Sequence, residues 1–106
     1  MPSVLPHVLT VSELTNQIRS LLENQFPTVW VEGEISNLRR PPSGHQYFTL
    51  KDRQSQIRSV IFRGSAQQLR FDLVDGLEVI VAGRLTVYEP RGDYQLILES
   101  VEPKGV

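Results

Sequence analysis

The chain has 106 residues, 40% of them hydrophobic and 22% charged, a formal charge of −1 and no cysteine. That length holds one domain core and that composition belongs to a folded globular chain, not a disordered one. The missing cysteines exclude disulfide staples, thiolate catalysis and cysteine-bound zinc, and neither a signal peptide nor an apolar run of about 18 residues is found, so a cytoplasmic protein without membrane contact is expected.

Residues 1–9 read as an irregular, flexible arm. Thr10 and Glu13 form a Thr-x-x-Glu capping box, and Leu14, Ile18, Leu21, Leu22 and Phe26 follow at helical spacing, which predicts a helical segment at 10–26 that is regular over about 10–25 and stops before Pro27. From Thr28 the period changes to two. In "TVWVEGEIS" Val29, Val31 and Ile35 share one face and Trp30, Glu32 and Glu34 the other, with Gly33 marking a bend or bulge. The loop "NLRRPPSG" leads to a second strand, "HQYFTLKD"; "RQS" turns into a third, "QIRSVIF"; "RGSAQQLRFDL" reads as a short helical connection. Two long strands, "LEVIVAGRLTVYE" with Gly83 inside it and "YQLILESVE", are joined by "PRGD" as a hairpin.

One helix, three strands, a short helix and two strands, with glycines that let long strands coil, match a mainly β fold: a five-stranded Greek-key barrel of the OB type over 27–104. An SH3-like barrel is the structural rival.

At this point four blocks, "LTVSELTNQIRSLLE", "VWVEGEISNL", "SGHQYFTLKD" and "YEPRGDYQLILESVEP", resemble in order and spacing the N-terminal domain of the exodeoxyribonuclease VII large subunit, over Thr10 to Pro103. The resemblance implies an OB-fold domain binding single-stranded DNA. It also implies a nuclease domain downstream that cuts single-stranded DNA into oligonucleotides in the bacterial cytoplasm, and a helical region that carries copies of a small subunit. The family's chemistry is thereby placed beyond this chain.

Charge is uneven along the sequence. Residues 1–38 carry −3, residues 39–63 carry +5 from Arg39, Arg40, Lys51, Arg53, Arg58 and Arg63 against Asp52, and residues 64–106 carry −3. A basic middle third is what phosphate binding requires, and single-strand binding by OB folds adds rings on which bases stack. Tyr47, Thr49 and Lys51 on the second strand, beside Arg58 and Phe62 on the third, would supply both. The competing reading is a sheet face covered by the N-terminal helix or a partner. The outward face of the third strand stays open, because Ile57, Ser59 and Ile61 compete with Arg58, Val60 and Phe62 for the core. Arg39 and Arg40 sit in a loop stiffened by Pro41 and Pro42, which would lose little entropy on holding a phosphate; an ordinary solvated basic loop is the plainer reading. That loop and the one bearing Arg91 flank the groove of an OB fold. His45, Arg63 and Tyr94 complete the candidate interface.

Other features have plainer explanations. Arg91-Gly92-Asp93 is a hairpin turn before it is an adhesion motif, and Tyr88 and Tyr94 bracket it either as a cross-strand pair or as stacking platforms. Glu32 and Glu34 are expected as solvent-facing neighbours, His7 and His45 lack a second ligand at metal spacing, and no catalytic arrangement or cofactor site is found, so no metal, cofactor or catalytic residue is expected here. Trp30 is expected beneath the stripe of Leu14, Ile18 and Leu22, although an amphipathic helix on a small barrel could instead mediate self-association. The functional expectation is capture of single-stranded DNA for a nuclease domain. Its rivals are a protein-docking scaffold without DNA affinity and an RNA-binding module.

Overall fold

Thr10 caps the first helix, α1 (Val11–Gln25), as the sequence requires: its backbone N–H donates to Glu13 Oε1 at 2.9 Å, and the Glu13 N–H donates to Thr10 Oγ1 at 3.0 Å. The structure, a computed structural model, describes residues 6–105. Of the arm expected at 1–9, residues 1–5 lie outside the described residues, and 6–9 carry no helix or strand.

Five strands follow, β1 (Val29–Arg39), β2 (Gln46–Lys51), β3 (Gln56–Ile61), β4 (Glu78–Tyr88) and β5 (Asp93–Pro103), with the short helix α2 (Arg63–Ala66) between β3 and β4. They close into a barrel in the order β1-β2-β3-β5-β4, in which β3 and β5 run parallel and every other pair antiparallel. This is the OB arrangement. Ile35, Phe48, Leu50, Ile61, Leu73, Val79, Val81, Leu96, Leu98 and Val101 form the core. The strand residues among them follow the period-two reading except on β5, where the register shift moves the inward face from Leu98 to Val101, and Leu73 enters from the connection before β4. Full burial of each large side chain among them contributes roughly 1.5–3 kcal/mol.

Three local expectations change. β1 runs on through Asn37–Arg39, which the sequence reading assigned to a loop, and a register shift against β2 falls between Ser36 and Arg39, where Asn37 has φ 53°. The ladder of β1 with β4 passes Gly33 without a shift; a Cβ there would lie 2.8 Å from Leu50 Cγ, so this glycine admits the close approach of β2. Gly83, by contrast, sits at a true register shift between β4 and β5, where a Cβ would meet the Ile97 carbonyl oxygen at 2.3 Å. The helical connection is one turn, Arg63–Ala66, not the whole of 63–73.

Trp30 is the clearest reversal. It is 69% exposed, and α1 buries no residue fully. The helix lies against β4 through polar links instead: Thr86 Oγ1 donates to Glu23 Oε2 at 2.6 Å and Arg19 pairs with Glu89. Trp30 points outward from β1 opposite Ala82, away from the apolar contacts that would have covered it.

Candidate nucleic-acid interface

Strand register builds the outer face of the barrel row by row, because residues paired across a ladder point to the same side. One row reads Arg39 (β1), Tyr47 (β2), Val60 (β3), Ile97 (β5) and Arg84 (β4). The next reads Ser36, Thr49, Arg58, Gln95 and Thr86, and a third begins Glu34, Lys51, Gln56. Adjacent strands are about 4.8 Å apart, so the first row follows about 19 Å of the closed barrel's circumference, with Arg39 and Arg84 toward opposite ends of β1.

The open question of the third strand resolves here. Ile57, Ser59 and Ile61 take the inward parity of their partners Leu50, Phe48 and Gln46, so Arg58 and Val60 face outward with Thr49 and Tyr47. Val60 and Ile97 are nonetheless only 3% and 7% exposed, so they are an apolar floor already covered by neighbouring side chains, and Arg39, Tyr47 and Arg84 are the open members of the row. The open ring of Tyr47 suits the face of a base, and the exposed arginines suit phosphates.

Beside this floor, the start of β2 and the end of β3 bring three rings together. His45 meets Phe62 edge-on at 5.2 Å between centroids and Tyr47 at 6.5 Å. The Arg63 backbone N–H donates to His45 Nδ1 at 2.9 Å, which leaves Nε2 as the position of the neutral ring's proton. Tyr47 and Phe62 remain partly open to solvent, as stacking requires. Arg63 sets its side-chain carbons over Gly44, closing the loop that links β1 to β2 against the start of α2.

The remaining candidates are not equivalent. Arg39 lies on the strand and not in the loop, exposed and aligned with Tyr47. Arg40 folds back, its Nη2 donating to the Leu73 carbonyl, so it ties the loop to the body of the fold. Lys51 stands 3.8 Å from Glu34, and Arg91 lies 3.4 Å from Asp93 and 4.8 Å over the Tyr88 ring. Tyr88 pairs with Asp93 and Tyr94 with Val87, so the two tyrosines fall on opposite faces of the hairpin and do not oppose each other. Tyr94 shares the parity of Leu96 and Leu98, away from the outer rows, and is 56% exposed past the barrel end.

Among the described residues Arg39, Arg58, Arg63 and Arg84 take part in no ion pair. Arg84, Gln95, Val60 and Ile97 were absent from the sequence-derived set. Only the parallel β3–β5 ladder brings β4 and β5 into the row of Tyr47, and no local pattern announces that pairing. Glu32 and Glu34, which share a strand face, are each matched to a lysine, Glu32 with Lys104 at 3.1 Å and Glu34 with Lys51. The Glu32 carboxylate beside Lys104 raises that lysine above its ordinary value. No group of three metal-ligating side chains occurs among the described residues.

A family model described as an OB-fold nucleic acid binding domain matches residues 9–102. The chain is similar to the exodeoxyribonuclease 7 large subunit of Geobacter metallireducens, with 61% identity over 99 residues that make up 93% of this chain and 22% of that protein. It is 60% identical over 98 residues to the one from Azotobacter vinelandii, over 92% of this chain and 22% of the relative. The chain thus spans about a fifth of the length of these curated relatives. Among solved structures, asparaginyl-tRNA synthetase from Pyrococcus horikoshii is similar at a TM-score of 0.62 and 16% identity, over 84% of this chain and 22% of that one. The S. pombe Stn1-ten1 complex is similar at 0.60 and 19% identity, over 74% of this chain and 59% of that one. At these identities the likeness concerns the fold.

Proposed function

Since the chain belongs to the family of OB-fold nucleic acid binding domains, we propose that it binds single-stranded DNA across its outer rows and delivers it to the nuclease domain of an exodeoxyribonuclease VII type enzyme. The observation that carries this reading is the row from Arg39 through Tyr47, Val60 and Ile97 to Arg84, with Arg58 in the row beside it. Bases would lie on Tyr47, with phosphates toward the arginines. Stacking on a ring and charge contacts to phosphates do not depend on base identity, so the binding is expected to be tolerant of sequence. The kinship with exodeoxyribonuclease 7 large subunits, of which this chain spans about a fifth, supports placing the cutting step in another part of a longer protein; a cytoplasmic setting and a small-subunit partner are part of the same proposal.

Fluorescence-anisotropy titration with labelled single-stranded DNA, double-stranded DNA and RNA of equal length, at low and moderate salt, tests the proposal. Salt-sensitive preference for single-stranded DNA is the expected result. Equal affinity for RNA would shift the reading to general single-strand binding. No binding by the folded chain at about 100 μM would favour the docking scaffold.

A further inference from the structure

The barrel covers only one side of α1. Arg19 and Glu23 hold the helix to β4, and Thr15 and Leu22 are half-buried beside them. Val11, Leu14, Ile18 and Leu21 remain open, at 83%, 48%, 45% and 61% exposure. Their spacing, three then four then three, is that of alternating core positions in a heptad. Val11 and Ile18, both β-branched, occupy one kind of position, while Leu14 and Leu21 occupy the other; this division favours two parallel strands.

Charge fits a like-with-like pairing. The positions that flank such a seam are Thr15, Gln17, Leu22 and Asn24, and none carries a charge. Glu13 is held in the capping box, and Arg19 and Glu23 are engaged with the barrel. Two copies of the stripe therefore meet with no like charges opposed across the contact.

From this we propose that α1 pairs with α1 of a second copy of this chain as a parallel two-stranded coil. At 3.6 residues per turn the edge that touches the barrel lies beside the seam and not across it. A two-fold axis along the coil then places the two barrels on opposite sides, clear of each other, with the β2 and β3 part of the outer rows open and the β4 end at Thr86 already against α1. The seam from Val11 to Leu21 is about 15 Å long, so the pairing is weak and depends on concentration.

Sedimentation equilibrium over a series on the order of 1 to 1000 μM tests the pairing. The weight-average mass is expected to rise toward twice that of the monomer. A Leu14→Glu, Ile18→Glu variant, folded by circular dichroism, stays monomeric throughout and keeps its DNA affinity, so this result stands apart from the binding proposal. Because the chain has no cysteine, Leu14→Cys reports orientation: mild oxidation gives a disulfide dimer if the helices are parallel and in register, whereas Ser20→Cys on the polar face does not. A wild-type chain monomeric over the whole series would overturn the proposal. So would equal cross-linking at both positions, or a dimer that Leu14→Cys fails to trap.

Discussion

Arg40 and Arg58 separate two roles that look alike in a count of cations. Arg58 stands on the outer face between Thr49 and Gln95 with no ion pair among the described residues, while Arg40 spends its guanidinium on the Leu73 carbonyl. Arg58→Ala is expected to weaken single-strand binding several-fold and to reduce the salt slope by about 0.7, the share of one phosphate contact. Arg40→Ala is expected to leave that slope unchanged and to cost about 1–2 kcal/mol of stability, because the Leu73 carbonyl loses a charged donor. Anisotropy titrations at several salt concentrations and denaturant melts of both variants give the comparison. Reversed effects would mean that the loop, not the strand, holds phosphate.

At the scale of elements, β4 depends on one residue without a side chain. Gly83 lies where the β4–β5 register shifts, and a methyl group would press against the backbone oxygen of Ile97 at 2.3 Å, which no rotamer change relieves. Gly83→Ala is expected to destabilise the fold by roughly 1–3 kcal/mol, measured as a fall in the denaturation midpoint. The turn between β2 and β3 has a different support. Asp52 Oδ1 accepts from the Gln54 and Ser55 backbone N–H groups, each at 2.9 Å, and these bonds hold its carboxyl below the usual carboxylate value. The contribution of this group is therefore full at neutral pH, starts to fall once the pH drops below the ordinary carboxylate pKa, and is gone once the pH has passed below the lowered folded value. An NMR titration of the Asp52 side-chain carbon should show a midpoint below that of a free aspartate; one at or above it would contradict the turn geometry.

For the whole molecule, a net charge of −1 conceals an uneven surface. Arg39, Arg58, Arg63 and Arg84 are free of ion pairs among the described residues, whereas Lys51, Arg91 and Lys104 face carboxylates. Three or four phosphate contacts at about 0.7 each give an expected slope of log affinity against log salt of about −2 to −3 for single strands. A slope near zero would remove the outer rows from the electrostatic account.

Much of this was legible in the chain because it is local. The capping box, the change of period at Thr28, the alternation of Phe48 and Leu50 with Tyr47 and Thr49, and the "PRGD" turn each follow from neighbours within a few residues. These gave the order of elements, the OB barrel and the β2 half of the interface. What pairing at a distance decides was not legible. The outward direction of Arg58, the place of Arg84 in the row of Tyr47 and the opposite faces of Tyr88 and Tyr94 all depend on ladder register, above all on the parallel contact of β3 with β5. Trp30 and Arg40 make the same point for side chains. Their residue types invite burial and phosphate binding, but the line along which α1 meets β4 and the reach of Arg40 to Leu73 are set only when the barrel closes.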